Sequence, residues 1–224
     1  MFVTQSAKIS WANGYTPKQE LANSLTHGFG AIVAAAGVAF LIVMACLRGN
    51  AWHIVSFSVY GVTLFILFLT STLYHGLTSP GAKRVFEVLD HSFIFLLIAG
   101  TYTPFTLVTL HGAWGWSLFG IVWGLAVVGV IYKLSFTRSH HFFSTCLYIG
   151  LGWIVVIALK PLMAALPTGG FVLLVLGGVC YSFGTIFYHR ERWYYSHAVW
   201  HLFVLAGSFF HYCAILFYVL PERV

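Results

Sequence analysis

The stretch "YYSHAVWHLFVLAGSFFH" (194–211) sets two imidazoles, His197 and His201, at the head of a long apolar run. Apart from those histidines it reads as a segment built for lipid, since about 20 mostly apolar residues cross a hydrocarbon core. The rest of the chain repeats that pattern. Of its 224 residues 60% are hydrophobic and only 7% are charged, with a mean hydropathy of +0.89, whereas a soluble domain carries about 25% charged residues. The composition therefore predicts an all-α integral membrane protein and excludes an ordinary soluble domain.

Apolar runs between turn-like breaks predict seven transmembrane helices, at roughly 24–46, 52–76, 86–108, 114–134, 142–160, 169–188 and 197–220. The breaks are short, such as "LTSPGAKR", "KPLMAALPT" and "HRERWYYS", and no linker divides the chain. A single seven-helix membrane domain over 1–224 is expected, with any function lying within the helices or at their ends. The first run begins after about twenty mixed residues and is too long for a signal-peptide core, so it reads as a retained helix. "GIVWG" (120–124) and the many other small residues suit close helix packing.

The formal net charge is +6, but the basic residues are scattered over short loops and form no patch. They read as topology information and not as a nucleic-acid signal. Lys8, Lys18, Lys83, Arg84, Lys133, Arg138, Arg190 and Arg192 fall on the side holding the N-terminus, against Arg48, Lys160 and Arg223 opposite. Eight against three predicts a cytoplasmic N-terminus and an outside C-terminus, and the expected location is the plasma membrane. Cys46, Cys146, Cys180 and Cys213 lie in separate apolar segments without CxxC spacing, so neither a disulfide framework nor a thiolate metal site is expected.

Sorted by this topology, four groups fall at the cytoplasmic level. His75 ends the second span, Asp90 begins the third, and His197 and His201 begin the seventh. Residues at i and i+4 share a helix face, so His197 and His201 can grip one ion and His75 can add a third nitrogen. Three nitrogens and an open position describe a catalytic Zn²⁺ site, and zinc lowers the pKa of a bound water toward 7. Asp90 then serves as a fourth ligand or as general base toward that water. Ser71, one turn before His75, is a hydrogen-bond candidate for the water or a substrate oxygen. Each histidine alone has a bland reading as an interfacial residue. Asp90 carries more weight, being the one Asp in the chain and standing where an unpaired charge is costly.

The same residues carry a family likeness. "STLYH" (71–75), "LDHSFIFLLIAGTYTP" (89–104) and "HAVWHLFVLAGSFFH" (197–211), with "ELANSLTHGFG" (20–30), closely resemble the bacterial hemolysin III family. That family is related to the progestin and adipoQ receptors, adiponectin receptors included. The resemblance covers roughly Glu20 to Tyr218. It implies seven helices with a cytoplasmic N-terminus and one zinc on His75, His197 and His201. Asp90 would contact the zinc-bound water, and the family serine maps onto Ser71. The wider group contains alkaline ceramidases, zinc amidases that cut a lipid amide.

Among the remaining polar residues, Asn23 and His27 are i, i+4 neighbours near Glu20. They read first as caps of the first helix and, as the alternative, as candidates to support the metal site or touch substrate. His91 points about 100° away from Asp90, which suggests packing or an interfacial hydrogen bond. His211 lies about 15 Å along the helix from His201, too far to share its ion, and is open to a helix–helix hydrogen bond or a polar path. His189, His140 and His141 read as interface residues on the N-terminal side, and His53 and His111 as structural ones opposite. Tyr102 and Thr103 precede Pro104, where a proline kink explains the pattern. The leading functional expectation is a zinc-dependent hydrolase of a membrane lipid amide or ester. The alternatives are a receptor-like sensor of membrane lipid state with a structural zinc, and a pore-forming hemolysin. Membrane lipids are the expected partners.

Overall fold

The computed structural model describes residues 14–136, 141–190 and 192–221. Lys8, Arg138, His140 and Arg223, and the side chain of His141, lie outside that description. The described chain is helical throughout, with no strand, and seven of its helical segments are long and apolar enough to cross a membrane. These are α1 (Pro17–Arg48), α2 (Ala51–Gly76), α3 (Pro80–Pro104) continued by a π-helical turn (Phe105–Leu110), and α4 (Gly112–Phe136). The fifth runs from α5 (His141–Gly152) through a 3-10 turn (Ile154–Ala158) into α6 (Leu159–Ala165). The sixth and seventh are α7 (Thr168–Tyr188) and α8 (Ser196–Tyr218). Large apolar side chains such as Ile32, Leu47, Val128, Ile157 and Phe209 remain exposed around the bundle. On a soluble protein that much exposed apolar surface would drive association; here it matches a lipid-facing belt.

Spans two, four, six and seven begin and end within about two residues of the hydropathy reading, but α1 starts at Pro17 and not at 24, and α3 at Pro80 and not at 86. The reason is local. Thr16 and Gln19 form a reciprocal capping box with Pro17 in the first turn, which starts a helix whatever its hydropathy. The polar turns this adds carry Glu20 and Asn23 on α1 and Lys83 on α3, all buried. Asn50 caps α2 in the same way, accepting from the Trp52 and His53 amides while His53 returns a hydrogen bond. His53 is thus structural. The corner into α4 is made by positive φ at His111 (30°) and Gly112 (64°), and the His111 ring is held by the Leu107 carbonyl at 3.0 Å.

The fifth span is broken where a continuous helix was expected. At the break the Tyr102 hydroxyl donates to the Gly152 carbonyl (2.7 Å) and accepts from the Val155 amide (2.8 Å). Those backbone groups would otherwise be orphaned in a medium without water to satisfy them. The opposing irregularity follows Pro104 in α3, where the π turn absorbs the proline. Helices α7 and α8 pack closely because glycine faces aromatic residues across the seam. A Cβ at Gly177 would collide with the His211 ring, and one at Gly207 with Tyr181.

Candidate metal centre

Because the spans alternate in direction, the starts of α1, α3 and α8 and the end of α2 share one face of the bundle, here called the basal face. His75 sits in the last turn of α2, with His197 and His201 in the first turns of α8. Their rings converge, with centroids 5.0 Å apart for His75 and His197, 5.2 Å for His75 and His201, and 4.6 Å for His197 and His201. One nitrogen from each lies within 4.8 Å of the other two, so the three can hold a metal ion. Asp90 stands outside that group, although it lines the same cavity as His197 and His201.

The hydrogen bonds decide which nitrogens face inward. His75 Nδ1 meets the Glu20 Oε2 at 2.6 Å, and His201 Nδ1 donates to the Asn23 carbonyl at 3.1 Å. A carbonyl or carboxylate can only accept, so both rings carry the proton on Nδ1 and present Nε2. His75 Nε2 and both nitrogens of His197 are buried without any hydrogen-bond partner. Such groups cost about 1–3 kcal/mol each when left unsatisfied, and a cation on three imidazole lone pairs removes that cost at His75 Nε2 and at one nitrogen of His197. The donor set therefore fits a metal.

Around this core, the His27 ring lies flat against His201, 3.6 Å between centroids at 11°, and edge-on to Phe68. Thr26 Oγ1 is 3.0 Å from His201 Nδ1. Tyr15, just before α1, covers the basal side with its ring 5.2 Å from His197 and 6.1 Å from His75. Ser71 is fully buried on the wall of the cavity, its hydroxyl beside the Asp90 carboxyl but outside hydrogen-bond geometry. That cavity runs up from the histidines between α3, α5, α7 and α8, with mostly aliphatic and aromatic walls that include Ile94, Leu97, Ile149 and Val204. Its interior volume is about 130 Å³, and it is partly open to the surroundings.

Glu20 escaped the sequence reading as a contact of the metal histidines. The available signal was spacing, since 20, 23 and 27 share one face of an apolar helix at i, i+3 and i+7. Lys83 and Lys133 were read as basic loop residues and are instead interior. Lys83 is buried, with Nζ 2.7 Å from both the Glu20 Oε1 and the Tyr74 carbonyl. Lys133 is fully buried within electrostatic reach of Glu87. A buried ammonium is costly without a nearby anion, and each of these has an acid within reach, Glu20 for Lys83 and Glu87 for Lys133. His91 donates to the Glu87 carbonyl at 2.7 Å and lines the cavity beside Tyr188. His211 makes the helix–helix hydrogen bond, to the Leu174 carbonyl at 3.0 Å. His189 pairs with Thr145 at 3.0 Å.

Residues 15–212 match the family described as Haemolysin-III related. The chain belongs to that family. The match runs from Tyr15 to beyond His211 and so includes every residue of the centre. Hemolysin-3 of Bacillus cereus is 49% identical over 204 residues, 91% of this chain and 93% of its own length. The hemolysin-3 homolog of Bacillus subtilis (strain 168) is 47% identical over the same share of this chain and 96% of its own. A more distant relative is the human monocyte to macrophage differentiation factor, of the progestin and adipoQ receptor family, at 27% over 217 residues, 93% of this chain and 89% of its own. Together with the seven apolar segments, this makes the chain a multi-pass membrane protein of the hemolysin III family.

Proposed function

We propose that the protein is a zinc-dependent hydrolase that cuts an amide or ester bond of a membrane lipid at the cytoplasmic headgroup level. One observation carries the reading. Three imidazoles fit an ion, and two of them, His197 and His201, share with a carboxylate and a hydroxyl, Asp90 and Ser71, the wall of an apolar cavity that extends along α3 and α8. His75, His197 and His201 would hold zinc, which when bound supplies a Lewis acid and a water of lowered pKa.

The protein's own groups do the rest. Asp90 orients the attacking water and takes its proton, then returns a proton to the departing amine or alcohol. Ser71 donates its unpartnered hydroxyl to a substrate oxygen. The aliphatic walls hold an acyl chain along α3, which places its carbonyl at the histidines and excludes bulk water. The excess of Lys and Arg on the basal side orients that face to the cytoplasm.

The test is zinc-dependent turnover of a panel of ceramide-like and other acyl lipids by purified protein, with Asp90→Ala as control. Turnover lost in that variant supports the hydrolase, and a complete panel without activity overturns it. A receptor-like sensor with a structural metal is favoured by a different observation. Helices α2 and α8 make few direct backbone approaches, so an ion on His75, His197 and His201 would be a principal tie between them. On that reading His75→Ala lowers thermal stability and abolishes no chemistry.

A further inference from the structure

The α1 side of the centre holds a buried chain of charges that coordinates nothing itself. Glu20 is 4% exposed and its two oxygens are divided. Oε2 accepts from His75 Nδ1 at 2.6 Å, and Oε1 takes the Lys83 ammonium at 2.7 Å. Lys83, equally buried, also donates to the Tyr74 carbonyl at 2.7 Å and lies 4.9 Å from the centroid of the Tyr74 ring. Asn23 Nδ2 approaches the same His75 nitrogen at 3.5 Å. It is a donor facing a donor and cannot set the tautomer.

We infer that Glu20, locked by Lys83, is the positioning residue of the metal centre, fixing His75 with its proton on Nδ1 so that Nε2 points at the ion. The inference rests on the metal-binding part of the function proposed above and not on hydrolysis. Its physical content has two parts. A carboxylate on the far nitrogen of a ligating histidine fixes the ring and raises its basicity. Lys83 holds the second oxygen, so Glu20 cannot swing round to become a ligand. Charge bookkeeping agrees. Lys83 balances Glu20, Lys133 lies toward Glu87, and Asp90 remains as the acid on the cavity wall.

A merely structural Glu20 would bolt α1 to α2 and α3 and leave metal affinity alone. The full chain, purified in detergent and stripped of metal, is titrated with Zn²⁺ against a chromophoric chelator and with Co²⁺ as a visible-spectrum probe. Glu20→Gln is expected to weaken Zn²⁺ binding about 10- to 100-fold and to shift the Co²⁺ bands. If that variant fails to fold, Glu20→Gln/Lys83→Met removes both buried charges and should show the same loss of affinity. Zn²⁺ affinity within about twofold of wild type in a folded variant, with unchanged Co²⁺ bands, overturns the inference. Wild-type protein that takes up neither metal overturns it together with the zinc reading. Wild-type protein that binds zinc but hydrolyses no lipid sinks the hydrolase alone.

Discussion

The basal end of the bundle and its middle are both rich in polar side chains, yet they treat them in opposite ways. In the middle, the hydroxyls and the indole find protein partners. Tyr102 bridges the broken fifth span, Tyr212 reaches the Gly37 carbonyl at 2.7 Å, Tyr181 meets Ser208 at 2.7 Å, and Trp153 donates to Ser182 at 2.9 Å. At the basal end, His75 Nε2, both nitrogens of His27 and of His197, and the Ser71 hydroxyl are buried and unpartnered. Polar groups that close on one another hold a fold together, whereas groups left open on one cavity await a ligand. His211 stands between the two sets, since its Nε2–H is used on the Leu174 carbonyl while its Nδ1 is buried without a partner.

That contrast is broken most severely by removing the open set. His197→Ala/His201→Ala deletes two of three ligands, so bound metal should fall from about one per chain to none by elemental mass spectrometry, with any lipid turnover gone. Metal bound to the native state stabilises it by mass action, so added zinc should raise the melting temperature of wild type and leave that of the double variant unmoved. A double variant that retains stoichiometric zinc would mean that the basal nitrogens are unpartnered for some other reason.

Asp90→Asn sharpens the same comparison from within the cavity. Asp90 is not among the three residues whose nitrogens converge, so metal content should survive. Turnover should drop roughly 100- to 10,000-fold, the range of a lost acid–base group. Equal loss of metal and activity would instead make Asp90 a ligand.

Tyr102→Phe tests the closed set. It strips partners from the Gly152 carbonyl and the Val155 amide, and should cost about 1–3 kcal/mol in thermal or denaturant unfolding with no change in zinc stoichiometry. Local hydrogen exchange should rise at the 3-10 turn and not at α8.

How much of this was legible in the sequence differs by region too. The seven spans were plain because lipid demands one long apolar run per crossing, and His75, Asp90, His197 and His201 stood out as polar residues at one level. Their convergence at one end of the bundle needed only alternating topology. The α1 side was harder. Glu20, Asn23 and His27 looked like a polar helix start, and only their 3- and 4-residue spacing hinted at a shared face. Lys83 and Lys133 looked like loop charges because a hydropathy window cannot distinguish a lysine facing headgroups from one facing a buried glutamate. The broken fifth span had no marker of its own. Its partner, Tyr102, lies about 50 positions away, and no local propensity encodes a long-range cap.

The smallest effect should come from the α5–α7 seam. Trp153 donates to Ser182 across helices that otherwise approach each other at few points, and Ser182 passes the interaction on to the Gly178 carbonyl at 2.8 Å. Interhelical hydrogen bonds inside membranes are worth about 0.6 kcal/mol on average, because unfolded segments in the bilayer find other partners. Trp153→Phe should therefore lower the unfolding free energy by about that amount. The indole also lines the cavity, so the same substitution widens the space between α5 and α7 while leaving every basal ligand untouched. Metal affinity should stay at the wild-type value, and hydrolysis of long acyl chains should change relative to short ones. If metal affinity moved instead, the two regions would be coupled, and the division between a closed middle and an open basal end would fail.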